Sequence, residues 1–198
     1  MNILPLYDGL PKARLLRQLL TALSDGELAI IPTDTNYAAV CSAGSKKGIN
    51  RLYALQTGRH EKKITLLCAD LKDISLYANV TNPAYRLMKS LIPGPYTFIL
   101  PASRLVPKMV LTKRRTVGIR TPDHAACLTI PAELGTALLA VSVKDVSTRG
   151  DSVSALESAF QNKISYLFDA GNIDSESSTI LDLTGSEYEI IRQGKGKI

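Results

Sequence analysis

Apolar residues recur with helical spacing in four segments of the chain. Five leucines between positions 15 and 23 fall on one face of a helix, which ends at Asp25 and Gly26. Further helices are predicted at 45–55, 82–91 and 152–160, and each begins at a residue type suited to capping: Ser45, Asn82 and Ser152. The helix at 82–91 is expected to carry proline at its first helical position and to end before the Pro93-Gly94-Pro95 run.

Short apolar runs between these helices predict β-strands. They lie at 28–31, 64–68, 96–100, 117–120, 138–142, 166–169, 179–183 and 187–192. Because helices and strands alternate, the pattern predicts an α/β fold with an open twisted sheet flanked by helices. Strands near the C-terminus are close in sequence, so some pairs should be antiparallel and the sheet mixed. With no repeat or linker, residues 1–198 are predicted to form a single domain.

Composition adds a basic bias to this picture. The net charge is +6 and the calculated pI is about 9.2. Such a bias suits a partner that carries phosphates, and it equally suits a soluble basic protein with no such partner. No run approaches the ~20 apolar residues of a membrane span, and no signal-peptide pattern opens the chain. We therefore expect a cytoplasmic protein without a membrane partner, with its three cysteines reduced and buried.

Familiar catalytic and cofactor motifs are missing from the sequence. It contains no GxGxxG, no GxxxxGK[ST], no HExxH, no GxSxG and no paired Cys/His zinc spacing. The sequence therefore predicts no metal site and no permanent cofactor. A bound nucleotide would have to be held by side chains and loop amides of another design.

Polar side chains cluster where predicted strands end. Thr33 to Asn36 follow the strand at 28–31, and the alternative interpretation is a turn in which Thr33 and Asp34 bond their own backbone. Arg120 ends another strand and could clamp a phosphate or carboxylate, or form an ion pair with Asp123. The segment 103–123 also carries the basic run 113–115. The tail 192–197 is basic too, and could bind phosphate or be frayed.

In their order and spacing, these segments resemble the YrdC/YciO family, which includes the threonylcarbamoyl-AMP synthases. The matching segments are 32–37, 93–98, 117–120, 138–142, 178–183 and 191–194. The resemblance implies a YrdC/RibB-like α/β fold around a concave, positively charged cavity. It also implies the reaction of ATP, bicarbonate and L-threonine to threonylcarbamoyl-AMP and pyrophosphate, which serves tRNA modification, with ATP and Mg²⁺ entering as substrate.

The resemblance also assigns roles to individual residues. Implied substrate contacts are Thr33, Thr35 and Arg120. Implied nucleotide contacts are Arg59, Lys62, Thr116, Ser142, Lys144, Ser178 and Arg192. Arg120 and Lys62 are the residues expected to take part in catalysis, and Lys113, Arg114 and Arg115 are the candidate RNA contacts.

Two synthase motifs are altered in this chain. The KxR motif is replaced by Gln56-Thr57-Gly58, and the SxN motif reads Ser142-Val143-Lys144. These changes are typical of the YciO branch. Losing one fixed donor that stabilises developing charge costs ~3–4 kcal/mol, or a factor of 10²–10³ in rate. Arg59, Lys62 or Lys63 near the first gap, and Lys144 at the second, are the cations that could compensate.

Three functional hypotheses remain open from the sequence. The first is a threonylcarbamoyl-AMP synthase, and the second is a protein without catalytic activity that binds double-stranded RNA or tRNA. The third keeps the fold but accepts another small amino acid, because Leu67 and Cys68 lie where family members are more polar. Whether the chain acts as a monomer or a dimer is also left open.

Overall fold

The structure is a computed structural model that describes residues 1–56, 64–146, 152–173 and 176–198. Within these ranges lie ten strands and six α-helices. The strands are β1 (Asn2–Pro5), β2 (Ala29–Pro32), β3 (Tyr37–Ser42), β4 (Thr65–Leu67), β5 (Tyr96–Pro101), β6 (Thr116–Arg120), β7 (Leu138–Ser142), β8 (Tyr166–Asp169), β9 (Thr179–Asp182) and β10 (Glu189–Arg192). The helices are α1 (Ala13–Ser24), α2 (Lys46–Leu55), α3 (Leu71–Tyr77), α4 (Asn82–Leu91), α5 (Ala125–Leu134) and α6 (Val153–Phe160).

The described strands form one open sheet in the order β1-β8-β2-β3-β7-β4-β6-β5-β9-β10. The pairs β1–β8, β2–β8, β4–β6 and β5–β9 are parallel, and the remaining pairs are antiparallel. The predicted mixed α/β sheet is therefore confirmed. None of the helices in the described ranges is both long and apolar enough to cross a membrane.

The two faces of the sheet are covered unequally. One face is packed against residues from α2, α3, α4 and α6, including Leu52, Ile74, Met88 and Leu156. Among the described helices, α1 and α5 cover the other face, and their buried side chains pack on β2, β3, β7 and β8. The described residues leave open the part of this second face formed by β4, β5, β6 and β9, and this opening positions the candidate site.

The predicted helices and strands are present, with two differences in detail. Ser45 and Ser152 cap α2 and α6 by accepting from the backbone N–H of the residue three positions on. The cap of α4 is Thr81, not Asn82, because the Thr81 hydroxyl accepts from the Ala84 N–H and Asn82 is already helical. The strand predicted at 187–192 begins two residues later, at Glu189.

Four elements have no counterpart in the sequence prediction: β1, β3, α3 and α5. Strand β3 is buried at every position, so it shows no alternation of apolar and polar residues. Helix α5 is apolar almost all round and contains Pro131, which hides its helical period. The three cysteines are buried and unpaired, as predicted, and burial raises the pKa of the Cys41 thiol to about 12.

A partly buried ion cluster joins the loop before β2 to α2 and to the start of β8. Arg51 donates to the Glu27 carboxylate at 2.7 Å, and Ser165 donates to its second oxygen. These hydrogen bonds, first from Arg51 and then from Ser165, lower the pKa of Glu27 from 4.5 to about 2. Lys47 Nζ lies 3.5 Å from Oε1 of the same carboxylate.

We predict that Glu27→Gln lowers the free energy of unfolding at pH 7 by roughly 1–2 kcal/mol. The folded-state pKa is depressed, so the stabilisation by Glu27 is present above the unfolded-state pKa near 4.5 and is lost as pH falls towards about 2. The gap between wild type and variant in urea unfolding should therefore narrow between pH 5 and pH 2.5. A gap independent of pH would contradict the assignment.

Candidate functional site

Residues of seven strands line a cavity of about 450 Å³ on the open part of the sheet, and where a strand contributes more than one residue they alternate along it. They are Ala38 on β3, Thr65 and Leu67 on β4, Thr97 and Ile99 on β5, Thr116, Gly118 and Arg120 on β6, Ala140 and Ser142 on β7, Ile180 on β9, and Arg192 on β10. Their intervening neighbours, among them Leu66, Phe98, Ile119 and Leu139, face the opposite side and belong to the larger core. The two-residue period of the strands therefore separates a cavity face from a core face.

Small side chains at the centre of this face make room for a ligand. Gly118 pairs with Thr65 on one side and Ile99 on the other. A Cβ placed on Gly118 would meet Thr97 at 3.5 Å and Thr65 at 3.7 Å, which are ordinary contacts. Glycine is thus not required by the backbone at this position, but any larger side chain would occupy the floor of the cavity.

Arg120 reaches the cavity as half of a buried ion pair. Its Nη2 donates to Asp34 Oδ1 at 2.7 Å and to Thr35 Oγ1 at 3.1 Å. The Arg120 and Asp34 side chains are only 11% and 9% exposed. Burial lowers the pKa of the Arg120 guanidinium, and the Asp34 charge opposes that shift. Its buried Nε has no hydrogen-bond partner among the described residues, which is unusual for a buried donor.

Asp34 is held from two further directions. The backbone N–H of Asp123 donates to Asp34 Oδ2 at 3.0 Å, and Lys195 Nζ donates to the Asp34 carbonyl at 2.8 Å. The alternative in which Arg120 pairs with Asp123 is therefore wrong, since Asp123 contributes its backbone and Asp34 supplies the charge. The turn that orients Arg120 is therefore fixed by contacts with Asp123 and Lys195.

The β2–β3 turn is built around the Thr33 hydroxyl. It accepts from the N–H groups of Thr35 and Asn36, both at 3.1 Å, and lies 2.7 Å from the Asn36 carbonyl. The interpretation of this segment as a side-chain-stabilised turn is thus correct for Thr33. Thr33 nevertheless lines the cavity, whereas Thr35 is fully buried beneath it, in contact with Arg120.

Ser178 and Arg192 form the opposite wall. The Ser178 and Thr97 hydroxyls lie 2.8 Å apart, and Arg192 donates to the Ser178 carbonyl through Nε and Nη2, at 3.1 and 2.8 Å. The following tail is docked: the Gly194 N–H donates to Thr179 Oγ1 at 3.0 Å, and a Cβ on Gly194 would overlap the Ser177 carbonyl. The alternative of a frayed tail is wrong.

Charged side chains of both signs lie among the described lining residues. Arg120, Lys144 and Arg192 line the cavity, and Asp145 is the one acidic residue among the described lining residues. The exposed run Lys113 to Arg115 joins Thr112 to Thr116, two lining residues whose hydroxyls are 2.7 Å apart. The basic run therefore emerges at the rim of the cavity.

Seven of the predicted ligand residues surround this one cavity: Thr33, Thr116, Arg120, Ser142, Lys144, Ser178 and Arg192. Arg59 and Lys62 lie outside the described residues. Polar residues were expected where strands end, and these seven lie at or beside the ends of β2, β6, β7, β9 and β10. Leu67 lines the cavity, whereas Cys68 belongs to the core on the other face.

Several lining residues had not been predicted: Thr65, Thr97, Thr112 and Gly118. Thr65, Thr97 and Gly118 lie in strands and share a sequence signal. Each is a small or hydroxyl-bearing residue that alternates with strongly apolar neighbours. That alternation is visible in Thr116-Val117-Gly118-Ile119-Arg120.

Comparison with known proteins shows what the chain is similar to. The Sua5/YciO/YrdC family model, described as "Telomere recombination", matches residues 21–194. YciO of Escherichia coli strain K12 is 30% identical over 192 residues, covering 95% of this chain and 93% of that protein. The threonylcarbamoyl-AMP synthase of Mus musculus is 35% identical over 191 residues, covering 90% of this chain but 66% of the synthase.

Solved structures have the same fold. The E. coli YciO structure superposes with a TM-score of 0.90, covering 99% of this chain and 97% of that one at 28% identity. The structure of P. abyssi Sua5 complexed with L-threonine gives a TM-score of 0.87 at 23% identity, covering 98% of this chain and 58% of that one. The mixed α/β architecture is thus shared over nearly the whole of this chain.

We predict that Asp34→Asn destabilises the protein by about 3–5 kcal/mol, because it leaves the Arg120 charge buried and uncompensated. Arg120→Met should also lower the free energy of unfolding, because it leaves the Asp34 carboxylate buried without its cation. The double variant should lose less free energy of unfolding than the sum of the losses in the two single variants, by at least about 1 kcal/mol. Urea unfolding of all four proteins measures this coupling, and strictly additive losses would show that the pair does not act as a unit.

Proposed function

The chain belongs to the Sua5/YciO/YrdC family, and from that premise we propose that it binds ATP in the cavity and forms an acyl adenylate. The proposed reaction converts ATP, bicarbonate and L-threonine, or another small amino acid, to a carbamoyl adenylate and pyrophosphate. This activity would serve tRNA modification. It is supported by sequence similarity to the mouse threonylcarbamoyl-AMP synthase.

The observation that carries the proposal is the gathering of seven predicted ligand residues around one cavity. They come from positions between 33 and 192, and a purely structural role would not require them to share one space. The volume of about 450 Å³ lies within the usual range for small-molecule sites, ~300–1,000 Å³. The unpaired Arg120 Nε supplies a donor already in place for a ligand oxygen.

The described residues divide into two groups in the proposed complex. Thr116, Ser142, Ser178 and Arg192, together with Lys144, would contact the nucleotide through hydroxyls and charge. Arg120 would bind the amino-acid carboxylate or the α-phosphate, with Thr33 beside it and Thr35 acting through its bond to Arg120. Binding of an amino acid is supported by the L-threonine complex of P. abyssi Sua5.

The protein's proposed contribution is positioning and charge. The amino group bonds to the carbon of CO₂ derived from bicarbonate and loses a proton, so that the carbamate forms with release of water. A carbamate oxygen then attacks the α-phosphorus of ATP while pyrophosphate leaves. Fixed cations stabilise the charge that develops on the phosphoryl oxygens, so the step needs no covalent nucleophile. Mg²⁺ would enter with ATP as part of the substrate. The Asp145 carboxylate in the cavity lining would be available to coordinate it.

The altered motifs predict a slower enzyme than the synthases. Gln56 is neutral where the synthases have lysine, and its buried Nε2 has no hydrogen-bond partner among the described residues. Lys144 lines the cavity where they have asparagine, which adds a cation. We propose that Lys144, with Arg59 and Lys62 from the neighbouring stretch of sequence, offsets part of the loss, Lys62 acting in catalysis.

Pyrophosphate release from ATP tests the proposal. We expect release only when both bicarbonate and an amino acid are present, and a panel of amino acids identifies the preferred one. The variant Gln56→Lys/Gly58→Arg should raise the rate at least about tenfold by restoring two donors. Lys144→Met should weaken ATP binding about tenfold in calorimetric titration.

Arg17→Met is the matched control for Lys144→Met, since it removes one exposed cation from α1, away from the cavity lining. It should leave ATP binding unchanged. Absence of ATP binding by the wild type, or pyrophosphate release that needs neither bicarbonate nor amino acid, would refute the proposal.

A second candidate function is binding of double-stranded RNA or tRNA. The observation that favours it is the position of the exposed run Lys113 to Arg115 at the cavity rim, where it could contact phosphates beside a nucleotide held within. Contacts of this kind recognise helix shape and charge rather than base sequence.

We predict that RNA affinity falls steeply with salt, and that replacing the three cations of the run reduces the logarithmic salt slope by about 2–3. The variant is Lys113→Gln/Arg114→Gln/Arg115→Asn, with asparagine chosen because Arg115 has a φ of 57°. The variant Lys12→Gln/Arg14→Gln/Arg17→Gln, which loses equal charge at the start of α1, is the control. Binding that ignores salt, or equal effects of both variants, counts against this site.

A further inference from the structure

A second, larger cavity of about 720 Å³ lies between the start of α4 and the β9–β10 hairpin. Its apolar walls are Pro83, Ala84, Leu87, Leu183 and Ile190. Glu187 and Glu189 are the charged residues among its described lining, so the cavity is acidic although the chain carries a net charge of +6. We call it the acidic groove. It shares no lining residue with the candidate site.

A surface segment with the opposite character follows β5. Two of its large apolar side chains are exposed, Leu105 at 63% and Met109 at 43%. They alternate with two exposed cations, Arg104 and Lys108. We call these four residues the basic knob. Its apolar and cationic side chains complement the apolar walls and carboxylates of the acidic groove.

A short backbone pairing, which we call the seam, lies between the segment that leads to the groove and the segment that leads to the knob. Ala78 forms a β-bridge with Ala102, and the Asn79 N–H donates to the Pro101 carbonyl at 2.9 Å. The chain enters the groove two residues after Asn79, at Thr81, and enters the knob at Arg104, two residues after Ala102. The two complementary features are therefore neighbours in the fold.

We propose that this surface binds a second copy of the chain in a two-fold symmetric dimer. Because knob and groove are adjacent, a two-fold axis near the seam lets each copy place its basic knob in the acidic groove of the other. Such a contact is isologous and closes at two subunits, whereas distant complementary patches would generate open chains. The reciprocal arrangement doubles the buried area and pairs every carboxylate with a cation.

Charge reversal with exchange tests the proposal. Sedimentation and light scattering should give the wild type twice the 21.5 kDa mass of one chain. The groove variant Glu187→Lys/Glu189→Lys and the knob variant Arg104→Glu/Lys108→Glu should each dissociate at least about tenfold more readily, because like charges then face each other. All four positions are exposed, so the folded state should be retained.

Mixing the two variants provides the decisive readout. In the mixed pair both knob–groove contacts recover opposite charges, so a heterodimer should form with the stability of the wild-type dimer. A wild type that stays monomeric at the highest concentrations reached would overturn the proposal, and would point to a different basic partner for the groove. A dimer that neither variant weakens, or variants that fail to pair on mixing, would overturn it equally.

Discussion

The strict alternation of side chains along β-strands is the constraint on which the site depends. In β4, β5, β6 and β7, one set of alternate residues is large and apolar and is sealed by helices on one face. Apart from Leu67 and Ile99, the cavity-lining residues of these strands are small, hydroxyl-bearing or cationic. Because α1 and α5 cover part of the second face, the described residues leave this set open to a ligand. A one-residue slip in register would place it in the core and abolish the cavity.

The buried ion pair between Arg120 and Asp34 connects this sheet face to the β2–β3 turn. Burying two charges costs solvation free energy, and their attraction offsets that cost only when the geometry is good and the remaining hydrogen-bonding groups are satisfied. The Asp34 carboxylate meets that condition, since its second oxygen accepts from the Asp123 N–H. Arg120 does not, because its Nε lacks a partner among the described residues. We infer that a ligand oxygen accepting a hydrogen bond from Arg120 Nε would stabilise the folded protein.

The two surfaces discussed above involve separate groups of residues. The cavity uses the open face of the central strands and the docked C-terminal tail, whereas the acidic groove uses α4 and the β9–β10 hairpin. Strand β9 is adjacent to both, since Ile180 lines the cavity and Leu183, just beyond the strand, lines the groove. Packing in this part of the sheet could therefore couple ligand binding to self-association, although neither requires the other.

Reasoning from the sequence was enough to predict the α/β class, most element positions and seven of the residues that line the cavity. These properties depend on local periodicity, on capping residues and on short motifs that a single chain displays. It did not determine the pairing of Arg120 with Asp34, the docking of the tail or the floor formed by Thr65, Thr97 and Gly118, because each joins residues far apart in sequence. Nor could it reveal β3, which is buried at every position, or α5, whose mostly apolar sequence with an internal proline hides its helical period. Only the tertiary structure decides which face the helices leave uncovered, because that choice depends on how all layers pack together.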